Sequence, residues 1–185
     1  MKVLEVILNT MRLVGRSDAA DLIEAGEPTD EALKLKRVLL TYLNAVLDEL
    51  ARGYFPLDTE EQMSSSDGTY PFANFLKGPI KINRVTDGKD KIEWHIYPNY
   101  LRAAANTITV YYEYMPPVLG EDDDFFYPVF AVGERMVEYG MAAEYFLVLG
   151  DGAGYNAWEN KYRNEIENLL SRSSVRDRIP PRRWI

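Results

Sequence analysis

At 185 residues the chain suits one domain, or one domain carrying a small insertion. Its 46 % apolar and 27 % charged residues are those of a globular protein with a real core, and the lack of cysteine excludes disulfides, thiolate metal sites and thiol catalysis. A formal net charge of −8 argues against general nucleic-acid binding, because phosphates repel an acidic surface.

Residues 2–15 have the spacing of an amphipathic helix, with Val3, Leu4, Ile7, Leu8, Met11 and Val14 on one face and Gly15 placed to end it. No secretory segment or membrane span is expected, since Lys2, Glu5, Asn9 and Arg12 interrupt the apolar run. A short helix over Ser17 to Ala25 follows, broken by Gly26 and Pro28. Thr29 or Asp30 then caps a long helix over about 30–52. Ala32, Leu35, Leu39, Leu43, Val46 and Leu50 form its apolar stripe. Lys34, Arg37, Thr41, Asn44 and Asp48 form the polar one, and Gly53 sits where a C′ glycine belongs.

From Tyr54 the periodicity changes. Thr59 to Gly68 is polar and ends in Ser-Ser-Ser-Asp-Gly, which predicts an exposed loop. Residues 80–86 and 90–97 alternate in the strand manner around Asp87-Gly88, the dipeptide a type I′ hairpin prefers. A third strand over 107–114 places Ile108, Val110, Tyr112 and Tyr114 on one side and stops at Pro116-Pro117. After the acidic run Glu121 to Asp124, a helix from about Phe126 to Leu149 carries Val129, Gly133, Met136, Gly140, Ala143 and Leu147 on one face. Small residues at that spacing allow another helix to approach closely. Gly150, Gly152 and Gly154 make a tight break before a last helix over about 155–171, with Tyr155, Trp158, Tyr162, Ile166 and Leu169 on one face.

The order predicts an α+β fold: an antiparallel helical bundle with an inserted small antiparallel β-sheet and an extended C-terminal arm. Residues 1–53 and 121–171 make the bundle, 54–120 the β-rich insertion, and 172–185 the basic arm. The arm holds five arginines (Arg172, Arg176, Arg178, Arg182, Arg183) against Asp177, a side-chain charge of +4 that leaves −12 on the remainder. A charged terminus can simply be a solvating tail. Here Val175, Ile179, Trp184 and Ile185 are interleaved with the arginines, and tryptophan and arginine are the types most enriched at binding hot spots. With the stiff Pro180-Pro181 between them, these residues point to a docking arm.

Catalytic chemistry finds little support. His95 is the only histidine and sits on the outward side of a predicted strand, so any Ser–His pair would have to be built on it. The acidic run lacks EF-hand spacing and serves better at the positive end of the following helix. Gly150 to Gly154 follows a helix and precedes no Lys-Ser/Thr, unlike a phosphate loop. No catalytic residue, metal site or cofactor is expected, and the chain is read as a non-enzyme.

Three stretches carry a family likeness. Glu24-Ala25-Gly26-Glu27-Pro28-Thr29-Asp30-Glu31 turns into a helix containing Leu43-Asn44-Ala45-Val46-Leu47-Asp48-Glu49-Leu50. Tyr112-Glu113-Tyr114-Met115-Pro116-Pro117 precedes an acidic turn. Phe125-Phe126-Tyr127-Pro128 opens an Ala/Gly-containing helix, and a last helix with Trp158 and Tyr162 closes the series. Over roughly residues 20–170 this order resembles the head-to-tail connector (adaptor, neck) proteins of tailed bacteriophages. The sequence departs in having Val46 where methionine is frequent, and in lacking a tryptophan near the end of the first long helix.

The resemblance implies a structural virion protein at the phage neck, made in the bacterial host cytoplasm. It implies a homo-oligomeric ring, twelvefold like the portal, that joins the portal protein to a downstream tail or nozzle protein. DNA would pass its lumen without specific binding, and no membrane is involved. The C-terminal part would reach the portal through Arg172, Arg176, Arg178, Ile179, Arg182, Arg183, Trp184 and Ile185. Trp94, Tyr97, Tyr111 and Tyr112 are expected at inter-subunit or tail contacts. The free protein is expected to be monomeric or weakly associated, forming its ring on its platform. An alternative is a β-rich carbohydrate- or ligand-binding adhesion module that uses the same four aromatics as a stacking surface.

Overall fold

The computed structural model describes residues 2–125, 127 and 132–176. Among them the protein is mixed α+β, with five α-helices and two three-stranded antiparallel sheets. The helices are α1 (Val3–Leu13), α2 (Ser17–Glu24), α3 (Asp30–Gly53), α4 (Glu134–Leu149) and α5 (Gly152–Arg176). The strands are β1 (Leu57–Ser64), β2 (Thr69–Pro71), β3 (Pro79–Thr86), β4 (Trp94–Tyr97), β5 (Tyr100–Ala103) and β6 (Thr107–Tyr114). The chain divides into two compact units, one of Met1–Leu47 with Val118–Ile185 and the other of Asp48–Pro117.

The helical unit draws on both ends of the sequence. α1 buries Val3, Ile7, Leu8 and Met11, while Leu4 is only half-buried. The Thr29 hydroxyl accepts from the Ala32 N–H at 3.2 Å and so caps α3. All six residues of the expected α3 stripe are buried. Gly53 is the last helical residue and has no positive φ, so it is not the C′ glycine that its position suggested. Asn44 is not a solvent-facing polar residue either. Its side-chain amide grips the backbone of Leu119 from both sides, donating to the carbonyl at 3.0 Å and accepting from the N–H at 2.8 Å.

The acidic run has a backbone role. The carbonyls of Asp123 and Glu121 accept from the Val3 and Leu4 N–H groups at 3.0 and 3.2 Å, satisfying two orphan donors at the start of α1. Lys2 reaches Asp124 at 3.0 Å and the Asp122 carbonyl at 3.0 Å. Lys36 pairs with Glu121.

α4 begins at Glu134 behind Gly133, so the expected start near Phe126 is eight residues too early; Phe126 and Val129 lie outside the described residues. α4 packs on α1 and α5. α5 buries Tyr162 and Ile166 and half-buries Tyr155, Trp158 and Leu169. It runs on through Arg176, so the first five residues assigned to an extended arm are helical.

The β-rich unit differs most from expectation. Thr59 to Ser64, expected in a loop, belongs to β1, and the turn is confined to residues 65–68. β1 pairs with β6 over its whole length, from Leu57 opposite Tyr114 to Ser64 opposite Thr107. β6 is central, with β3 on its other side. Its Ile108, Val110, Tyr112 and Tyr114 are buried, as the alternation predicts.

The Asp87-Gly88 turn forms, with Gly88 at φ +96° and the Asp87 carboxylate accepting from the Lys89 and Asp90 N–H groups at 3.0 and 2.9 Å. The expected hairpin does not continue from it. Beyond one bridge between Thr86 and Lys91, β4 leaves for a second sheet of order β2–β5–β4. Val85 lies opposite Val110 of β6, so that ladder is already taken.

Candidate functional site

Two surface features stand out, one in each unit. In the helical unit α4 ends in Leu147, Val148 and Leu149, which are 52 %, 68 % and 60 % exposed. Three consecutive exposed aliphatic residues form a contiguous apolar ridge, a candidate interaction surface. Val148 and Leu149 border a groove of about 320 Å³ whose apolar lining also includes Leu35, Val38, Tyr42 and Tyr145. Arg16 and Glu31 pair at its rim at 3.0 Å. The Arg16 pKa is raised, first by the hydrogen bond to Glu31 and next by one to Tyr145. Burial raises the Tyr42 phenol, helped by the negative charge of Glu144.

The connection from α4 to α5 fixes this ridge. Gly150 takes the left-handed conformation at φ +73°, which an L side chain would strain. The Asp151 carboxylate then accepts from the Ala153 and Gly154 N–H groups at 3.1 and 3.0 Å and caps α5. Gly154 passes so close to Phe146 that a Cβ there would lie 2.6 Å from the ring. Farther along, Gly140 lets α4 meet Val46 of α3 and Tyr162 of α5. Tyr139 packs against Trp158 with ring centroids 5.6 Å apart.

In the β-rich unit the second sheet carries a polar depression of about 500 Å³. Its polar lining is Ser66, Asp67, Glu93, His95, Arg102 and Asn106. Cross-strand pairing sets His95 directly opposite Arg102, which itself faces Thr69 on the other neighbour. The His95 ring lies 3.4 Å from the Glu93 carboxylate. The Ser65 hydroxyl, followed by the Thr69 backbone N–H, lowers the Asp67 pKa. On the same face of the sheet Tyr97 and Tyr100 stack with centroids 4.7 Å apart and planes 15° apart.

The four aromatics expected to share a contact surface do not. Trp94 and Tyr97 lie on β4 in the second sheet, whereas Tyr111 and Tyr112 lie on β6 in the first. Neighbours on a strand point to opposite faces. Tyr112 accordingly goes inward, 1 % exposed, with Phe75 edge-on at 5.1 Å. Tyr111 lies beneath the Arg84 guanidinium at 3.9 Å. The four-residue stacking surface is thus ruled out by register.

Of the expected arm residues, Arg172 and Arg176 fall within α5. Arg178, Ile179, Arg182, Arg183, Trp184 and Ile185 lie outside the described residues. The ridge at Leu147 to Leu149 is not legible in the sequence, because Leu147 falls on the expected packing face of its helix. The polar depression is not legible either, because β2 and β5 are only three and four residues long. Among the described residues no cluster of three or more His, Asp or Glu is placed to hold a metal, and no helix is long and apolar enough to cross a membrane.

Neither a protein-family model nor a curated protein matches the sequence.

Proposed function

We propose that the chain is a structural head-to-tail connector of a tailed bacteriophage, a ring-forming adaptor between the portal and the tail. The observation that carries the reading is the split helical unit. Residues from both ends of the chain form it, around one continuous β-rich unit of Asp48–Pro117. A helical unit interrupted by a continuous β-rich one agrees with the inserted β region that the resemblance to connector proteins implies.

The exposed Leu147 to Leu149 ridge and its groove support the subunit contacts a ring needs, since such apolar surface is costly to leave in water. The basic end of the chain supports docking on a larger partner. In this reading Trp184 and Ile185 anchor the arm on the portal protein and the arginines orient it. The acidic remainder suits a lumen that DNA crosses without sticking.

A chain ending at Arg176 tests the reading. The full chain is expected to bind isolated portal rings of the same phage and form a ring visible by electron microscopy, and the truncated chain to do neither. Equal binding by the truncated chain overturns the arm's role. Failure of the full chain to bind those portals overturns the connector reading.

A further inference from the structure

The polar depression on the β2–β5–β4 sheet is not accounted for by a connector role. At about 500 Å³ it falls within the roughly 300–1,000 Å³ range of small-molecule sites. Its walls are unlike those of an apolar drug-type pocket. They supply a guanidinium, an imidazole, an amide, a hydroxyl and two carboxylates, and hence both donors and acceptors.

Two details bear on what such a set would bind. Arg102 lines the depression and enters no ion pair among the described residues, although Asp67 and Glu93 border the same space, so no carboxylate occupies its donors. Asp67 uses one carboxylate oxygen, Oδ1, for both the Ser65 hydroxyl and the Thr69 N–H, which fixes the group and leaves the other oxygen as an acceptor. Two carboxylates against one guanidinium and one imidazole give the depression no excess positive charge. An anion gains little there, and a cation would meet Arg102. A neutral ligand that presents many hydroxyls, each able to donate and accept, matches the whole set.

Beside the polar groups, the stacked Tyr97 and Tyr100 lie on the same sheet face, and Tyr97 is 38 % exposed. Their rings offer the apolar shelf that the C–H face of a sugar ring covers, while their hydroxyls stay hydrated.

We propose that this depression is a binding site for a neutral saccharide. Arg102 and Asn106 donate to sugar oxygens, Asp67 and Glu93 accept from sugar hydroxyls, and Tyr97 with Tyr100 flanks the ring. The site stands whether or not the chain is a connector.

The test is a titration of the isotope-labelled full chain, followed by amide correlation spectra. The probes are glucose, galactose, mannose and N-acetylglucosamine, with inorganic phosphate and sulfate as controls. Saturable shifts confined to the amides around Gly68, His95, Arg102 and Asn106 are expected with at least one sugar. Arg102→Gln and Asp67→Asn should each weaken that binding about tenfold, the effect of losing one charge-assisted hydrogen bond. Both variants should keep the dispersed spectrum of the folded chain. The proposal is overturned if no sugar gives a saturable shift, if phosphate or sulfate produces the same shifts, or if both folded variants bind the sugar unchanged.

Discussion

Val46 on α3 fills the space that a side chain at residue 140 of α4 would need. Its two methyl carbons lie 2.9 and 3.0 Å from where a Cβ would stand, and a ring carbon of Tyr162 lies 3.2 Å away. Glycine in the middle of a helix costs about 1 kcal/mol in propensity relative to alanine. The close contact of three helices offsets that cost.

Gly140→Ala should therefore lower stability, by roughly 1–3 kcal/mol, the usual range for an added methyl in a packed core. Propensity alone predicts a gain, so the sign decides between the two effects. Val46→Ala in the Gly140→Ala background should recover part of the loss. Urea denaturation of the two single variants and the double variant measures the coupling.

Gly68 makes a comparable demand in the β-rich unit. It has φ +73°, and a Cβ on it would lie 2.5 Å from the Ala103 carbonyl oxygen, against backbone that cannot swing aside. Gly68→Ala should cost at least about 1–3 kcal/mol for the forced left-handed residue. It should also loosen the pairing of β2 with β5, read as faster amide exchange at Ala103, whose N–H donates to the Gly68 carbonyl.

The Tyr112 phenol donates to Glu61 at 2.9 Å, and burial, followed by that hydrogen bond, pushes its pKa up to about 12. A pKa above the ordinary 10 in the folded state means that this contribution is complete below pH 10 and is lost as the pH rises towards 12. Tyr112→Phe should cost roughly 1 kcal/mol at neutral pH. It should also flatten the alkaline fall in stability between pH 10 and 12, seen in melting temperatures across that window.

Glu138 of α4 is buried and held by Asn9 of α1 at 3.1 Å. Burial raises its pKa, so the folded state favours the protonated acid and carries an ionic penalty at neutral pH. Stability from this group is full below the unfolded pKa and falls as the pH rises through the raised folded one. Glu138→Gln keeps the shape and removes the charge. It should melt higher than the parent chain at pH 7 and alike near pH 3.

If the Leu147 to Leu149 ridge is a subunit contact of the proposed ring, Val148→Asp should abolish ring formation on portals. At 68 % exposure Val148 contributes little to the monomer's own core, so the melting temperature should hold. Electron microscopy of the assembled particles, set beside a thermal melt, separates the two effects.

What could be read in advance followed the strength of each local pattern. α3 was legible because six buried residues repeat at helical spacing behind a capping threonine, and β6 because it is central and alternates cleanly. β1 was not, because its inward positions include Thr59 and Glu61, and Glu61 is made acceptable there by the Tyr112 hydroxyl and the Leu76 N–H, which are remote in sequence. The chain does turn at Asp87-Gly88, but Asp87 lacks the positive φ that a type I′ hairpin needs, and strand partnership depends on competition for β6, which no local signal reports. The same holds for Asn44, whose partner Leu119 is 75 residues away. The polar depression needs three separate segments brought together, around 66–68, 93–95 and 102–106, and none of them looks unusual alone.

The split of the helical unit also constrains the order of events during synthesis. Val46 meets Gly140, Asn9 meets Glu138, and Val3 bonds to Asp123, so the N-terminal helices wait for partners about 75–130 residues downstream. Asp48–Pro117 has all of its strands in hand before any of these partners is made, and about twenty residues before Glu138 and Gly140. On the ribosome the β-rich unit can fold first, while α1 to α3 still expose their apolar faces. The emerging N-terminal third is then the stretch in most need of a chaperone.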